Sequence, residues 1–309
     1  MRILFPTDGS RYALAVARAL SGWFVWPGGE VDLLAVTSPK PKSDHRDFGK
    51  DSAIDQEWRA TAGRWLADTA THLDGSGLRV AELVRPGQAA EIALEAAADG
   101  YDLVAVGAKG RGATPFFDRD SVPLALLERA PTSVLLVRER TSRGRRRRQP
   151  TSQHPLRVLL AVDGRPPSQA AVEACSTFMA ADHVIVSVLT VADSVAGGLL
   201  ARADARHVAR RVTATLRSRG ITADPQVAEG ETAREILEAA ASTDLIVMGA
   251  RDTHEPTESR MGSVGLEVAL RSPCSLLIVR TEGAVAPAEL EMEPGSTTVT
   301  GSGRRHTVA

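Results

Sequence analysis

Two stretches of the chain carry residue types that could grip an anion. Asp102 to Ser121 reads DLVAVGAKGRGATPFFDRDS, and Asp244 to Ser263 reads DLIVMGARDTHEPTESRMGS. Each opens on an uninterrupted apolar run of strand length, suited to a strand buried on both faces of a parallel sheet. Each then breaks into a loop, with Gly107, Gly110 and Gly112 in the first and Gly249 and Gly262 in the second, and returns to helical pattern at Ser121 and Ser263. Glycines let a backbone approach a ligand closely, and the unpaired N–H groups of a helix start point at a phosphate. One such loop is a weak signal, and its repetition at the same internal spacing strengthens it. Lys109, Arg111, Arg251 and Arg260 either screen phosphates or stand as solvated loop charges.

The elements that must position these loops alternate between strand and helix. RILFPT is a strand, Asp8-Gly9-Ser10 a turn, and the residues that follow have apolar positions at helical spacing. VDLLAV, Leu78–Val84, Leu103–Val106 and SVLLV complete a five-stranded set with helices between them. Strands alternating with helices predict right-handed βαβ units: a doubly wound parallel sheet with helices on both faces. From Arg157 the programme restarts. RVLLAVDG echoes RILFPTDG, Asp163 and Val191 repeat Asp8 and Val36 at one constant offset, and Gly249, Ser263 and Val279 repeat Gly107, Ser121 and Val137 at another. Pro225 is expected to break the third strand of this second set. The duplication divides the chain into a first α/β domain at 1–138, a basic linker at 139–155, a second domain at 156–281 and a disordered tail at 282–309.

Composition bounds the function. The chain has 309 residues, a formal net charge of −1 and two cysteines, so it has room for two ordinary domains and no disulfide framework. Cys175 and Cys274 are expected to be small core residues. MRILFPTDGS shows no signal pattern and no apolar run reaches membrane length, which points to the cytoplasm and away from a membrane. The run Arg143 and Arg145–Arg148 lacks interleaved aromatics and reads as a solvated linker; nucleic acid is not expected as a partner. The histidines, His254 beside Asp252 included, have no metal-ligand spacing, and no Ser-His-Asp or Cys-His set assembles. A catalytic role is therefore not expected.

The doubled layout resembles the universal stress protein family in its tandem form. The likeness rests on the strand-one endings PTDGS and AVDGR, the strand-four exits GAKG and GARD, and the closing APTSVLLVR and SPCSLLIVR. The resemblance implies two tandem five-stranded parallel sheets of the adenine nucleotide alpha hydrolase type. In that family the last strand commonly mediates domain or subunit pairing, and ATP, with or without Mg2+, sits over the carboxyl ends of the strands. It implies a nucleotide-binding set of Asp163, Val191, Gly249, Gly262 and Ser263 in the second half and Asp8, Val36, Gly107, Gly110 and Ser121 in the first. The Asp residues would meet adenine or ribose and the Val backbones the base; a plain turn role for each Asp stands beside this.

ATP-binding members of the family show glycine, two residues, glycine, nine residues, then glycine and serine or threonine. Here Asp120 stands at the third glycine position of the first half, and Asp252 replaces the middle glycine of the second. A carboxylate about 5 Å from a phosphate oxygen costs roughly 3 kcal/mol at an effective dielectric near 20, unless Mg2+ bridges the two. The second half is expected to bind better. Gly262 and Ser263 leave its helix start open, whereas Asp120 can cap the first-half helix with its own carboxylate, and Pro115, Phe116 and Phe117 add bulk. The reading is an adenine-nucleotide-binding stress-response module whose halves pair within the chain, a homodimer remaining open. The alternative is a scaffold of the same fold that binds no nucleotide.

Overall fold

The computed structural model describes residues 1–37, 53–110, 121–139, 150–192, 198–250 and 261–280. The first half runs β1 (Arg2–Pro6), α1 (Arg11–Trp23), β2 (Glu30–Thr37), α2 (Ala53–Thr71), β3 (Arg79–Pro86), α3 (Ala89–Ala97), β4 (Leu103–Gly107), α4 (Val122–Arg129) and β5 (Ser133–Val137). The second runs β6 (Leu156–Ala161), α5 (Pro166–Phe178), β7 (Val184–Ala192), α6 (Gly198–Ser218), β8 (Thr222–Glu229), α7 (Thr232–Ala239), β9 (Leu245–Gly249), α8 (Ser263–Arg271) and β10 (Ser275–Val279). Both halves have the doubly wound α/β architecture that the alternation implies. Their strands join in one sheet, in the order β3-β2-β1-β4-β5-β10-β9-β6-β7-β8. All pairings are parallel except β5 with β10, where Leu135 lies opposite Leu277.

Burial on two faces explains the apolar runs. Ile3, Leu4 and Phe5 are consecutive and fully buried, and all five residues of β10 are buried. One core packs α1, α2, α5 and α6 on one face of the sheet, through residues such as Val16, Leu66, Cys175 and Leu216. A second core packs α3, α4, α7 and α8 on the other, through Ala93, Leu126, Ile236 and Val268. Both cores run across the two halves. Cys175 and Cys274 are buried, and burial pushes the Cys175 thiol up to about 12, so it stays a protonated core residue.

Pro225 does not interrupt its strand. It lies within β8, opposite Val188 of β7. Strand β8 is an outer edge of the sheet, where a residue without an N–H costs no ladder bond on its open side.

The seam between the halves is reciprocal. The Arg138 N–H donates to Ser275 Oγ at 3.0 Å, and the Arg280 N–H donates to Ser133 Oγ at 3.1 Å. Each arginine then reaches the C-terminal carbonyls of the other half's helix. Arg138 donates to Ala269 O, and Arg280 to Leu127 O, to Ala130 O at 2.8 Å and to Thr132 O at 3.1 Å. A guanidinium there meets both the orphan carbonyls and the negative end of the helix dipole. On the α1 and α5 side, the Val25 N–H donates to Phe178 O at 2.8 Å. Trp26 packs between Phe24 and Phe178, with ring centroids 5.1 and 5.9 Å away.

At the amino ends of the strands, Asp102 and Asp244 tie β4 to β1 and β9 to β6. Their Oδ2 atoms accept from the Arg2 and Arg157 N–H groups at 2.7 and 2.9 Å. Beside the first of these, the Tyr101 hydroxyl donates to Asp32 Oδ2 at 2.6 Å, and its pKa is pushed up to about 12, by burial first and by that bond second. A folded-state value above the unfolded value of about 10 contributes stability that is complete below pH 10 and lost as pH rises through 12. Thermal midpoints followed by circular dichroism should therefore fall between those limits, and Tyr101→Phe should remove that part of the fall.

Candidate functional site

Strand order within each half places a reversal at the C-terminal ends of β1 and β4, and again at β6 and β9. Such switch points are where open α/β sheets bind ligands. In the first half a cleft of about 190 Å3 opens there, lined by Asp8, Val36, Gly107, Gly110 and Ser121 among others. All five first-half residues picked out in the sequence therefore meet around one cavity. Leu34 and Val106 line it from the strands, and Ala89, Val122 and Pro123 from the first turns of α3 and α4. Lys109 also lines it, with an exposed side chain.

The turn after β1 is built by its own residues. Asp8 Oδ1 accepts from the Ser10 N–H at 3.0 Å, and Ser10 Oγ, as the N-cap of α1, accepts from the Ala13 N–H at 3.3 Å. Gly9 has φ +63°, and a Cβ on it would lie 2.7 Å from the Trp65 ring, so both backbone angle and space require glycine. Asp163 repeats the turn, with Oδ1 accepting from the Arg165 N–H at 3.0 Å. The turn-shaping role of both Asp residues is thus real, and Asp8 lines the cleft as well. Asp163 is more open: its side chain is 57 % exposed and lies 3.8 Å from Arg165 Nε.

Val36 contributes through its backbone. The Thr7 N–H donates to Leu34 O at 2.9 Å, so the polar groups of Val36, two residues further along β2, face the same side. Strand β1 has turned away by then, and those groups look into the crevice. Val191 has the same placement, because the Val162 N–H donates to Leu189 O at 2.9 Å.

Gly107 and Gly249 owe their identity first to helix packing. A Cβ on Gly107 would lie 3.1 Å from the backbone of Tyr12, and one on Gly249 only 2.1 Å from Pro167 O. These glycines let α1 and α5 press on the ends of β4 and β9, a reason that pattern reading missed in favour of ligand approach. Gly249→Ala should accordingly cost about 3 kcal/mol, because backbone must move, and Gly107→Ala about 1 kcal/mol. Urea midpoints of the two variants check that ranking. Gly110 differs from both: its missing side chain makes room for Asp8, whose Oδ2 would be 2.9 Å from a Cβ there.

The helix starts differ between halves. Ser121, and not Asp120, is the N-cap residue of α4, because the helical dihedrals begin at Val122; its hydroxyl makes no capping bond. Pro123 in the first turn removes one N–H from the set aimed at the cleft, a proline whose meaning was open to sequence reading and missed. In the second half Gly262 is the N-cap of α8, followed by Ser263, and Gly265 stands in the first turn, so no N–H is lost. Arg111, Pro115, Phe116, Phe117 and Asp120, like Arg251, Asp252, His254 and Arg260, lie outside the described residues, as does the arginine run at 143–148. No helix among the described residues is long and apolar enough to cross a membrane.

The architecture has known counterparts. A universal stress protein from Archaeoglobus fulgidus DSM 4304 superposes with a TM-score of 0.63 at 19 % identity, covering 91 % of this chain and 96 % of that one. A putative universal stress protein from Pseudomonas aeruginosa UCBPP-PA14 does so with 0.54 at 16 %, covering 90 % and 92 %. At these identities the likeness speaks for the fold alone. Among curated proteins, none matches the chain. The model of the Universal stress protein family matches residues 1–138 and again 156–280. With two stretches that together span most of its length each matched by that one family, and with both halves folded in the same doubly wound order, the chain belongs to the universal stress protein family.

Proposed function

We propose that this chain is a regulatory module that binds an adenine nucleotide, ATP with Mg2+, in a cytoplasmic stress response, and that it is not a dedicated catalyst. The observation that carries this reading is the first-half cleft, which gathers Asp8, Val36, Gly107, Gly110 and Ser121 at the switch point of a doubly wound sheet. The residues fit such a ligand. Asp8 and the outward-facing backbone of Val36 offer acceptors and a donor for the base or ribose, and the first turns of α3 and α4 offer N–H groups for phosphate. Lys109 adds a positive charge at the rim. The bound nucleotide would supply charge at the switch point, which shifts the population of a neighbouring surface.

A specific observation also favours the second half. Its helix α8 starts at Gly262 with all first-turn N–H groups present, whereas α4 has Pro123. Isothermal titration of the full chain with Mg-ATP tests both sites. Saturable heat is expected below millimolar nucleotide, and its absence would favour a scaffold of the same fold. Gly262→Glu removing more of that heat than Gly110→Glu would assign the main site to the second half.

A further inference from the structure

The seam arginines sit where they can link the two crevices. In the first half the glycine loop starts with Ala108, whose N–H donates to Val137 O at 2.9 Å. In the second half the Ala250 N–H donates to Val279 O at 2.8 Å. Each carbonyl belongs to the final residue of a half's last strand, and the next residue in the chain is Arg138 or Arg280. Those side chains enter the opposite half and hold the carbonyl ends of α8 and α4. The other end of α4 faces the first-half cleft, which its N-cap Ser121 lines together with Val122 and Pro123, and α8 starts at the matching place in the second half.

We infer that Arg280 and Arg138 couple the two halves, so that a ligand settling at the start of α4 is felt at Ala250, the residue that follows β9 in the second half. The route is short and made of stiff parts. Helix α4 has 8 residues, about two turns, and moves as a rod of roughly 12 Å. Its far end is held at three carbonyls, those of Leu127, Ala130 and Thr132, by an arginine that is 4 % exposed. One residue back from that arginine is the carbonyl that holds Ala250. Packed side chains and hydrogen bonds of this kind are what carries coupling between distant sites. The coupling is reciprocal in free energy, so a ligand in the second half would be felt in the first to the same degree.

This inference rests on the nucleotide reading above, and hydrogen exchange with mass spectrometry on the full chain tests the two separately. With saturating Mg-ATP and the second-half site blocked by Gly262→Glu, exchange should slow in peptides covering 104–110 and 121–130 and also in those covering 246–250 and 276–280. About fivefold in the second pair is expected, the lower end of ordinary coupling between sites. Protection found in one half and absent from the other at single-site occupancy would overturn the coupling. A ligand-free arm compares the wild type with Arg280→Lys, which keeps the charge and loses the fork. Faster exchange in both 122–130 and the segment around Ala250 supports the coupling, and a change confined to 122–130 overturns it. No effect of Mg-ATP anywhere would sink the nucleotide reading and leave the ligand-free arm to decide the coupling.

Discussion

Arg280→Ala should lower the stability of the whole chain by about 3 kcal/mol, seen as a drop in the urea midpoint with the transition slope unchanged. The side chain is buried and satisfies carbonyls of Leu127, Ala130 and Thr132, two of them in the last turn of α4 or just beyond it. Truncation leaves those acceptors without their donor in a site closed by the second core. Each buried unsatisfied group costs about 1–3 kcal/mol, and water entering the vacated space recovers part of the sum. The helix also loses the positive charge at the negative end of its dipole. Arg280→Met, which fills more of the space with apolar atoms, should cost less than alanine but more than Arg280→Lys. An alanine variant as stable as wild type would mean that the seam is held by β5, β10 and the Trp26 cluster alone.

Gly110→Glu should abolish Mg-ATP binding in the first-half cleft while leaving the ligand-free thermal midpoint nearly unchanged. Gly110 borders Asp8, and a Cβ at this position would lie 2.9 Å from Asp8 Oδ2. Glutamate therefore displaces the Asp8 carboxylate and puts a second negative charge against the space expected to hold phosphate. A like charge at 4 Å and an effective dielectric near 20 is worth about 4 kcal/mol, on the order of a thousandfold in affinity. The fold tolerates the change because the clash is with the far end of a side chain and not with backbone, the opposite of the situation at Gly249. Unchanged titration heat from Gly110→Glu would place the ligand outside this cleft.

What could be read beforehand followed locality. Ile3, Leu4 and Phe5 announced a doubly buried strand because burial on both faces leaves no polar alternation. The Asp-Gly pairs at Asp8 and Asp163 announced turns because the glycine φ and the aspartate acceptor act within three residues. Other features escaped for the same reason. Assigning the first-half cap to Asp120 was one residue off, since the last turn into a helix is decided by dihedrals that sequence pattern barely constrains. Pro225 looked like a strand breaker until the sheet order put it on an open edge. Gly249 looked like a ligand glycine, and only the packed helix α5 shows Pro167 O lying where a Cβ would be.

The chain by itself determined that there are two copies of one βαβ programme, which strand runs and which cysteines are buried, and which turn residues end the first strand of each copy. These are consequences of periodicity and of side-chain chemistry acting over a few positions. Pairing through the last strands was expected from the resemblance, and the tertiary structure decided that β5 and β10 meet antiparallel and join two five-stranded sheets into one of ten strands. It also decided that Arg138 and Arg280, unremarkable at the ends of two similar strands, close the helices of each other's half. Arg280 and Ala130 are 150 residues apart in sequence, and no local pattern encodes a partner at that distance. The same holds for the cleft. Its residues were each visible in the sequence, yet their meeting at one point depends on a strand order that brings β4 beside β1 across the intervening β2 and β3.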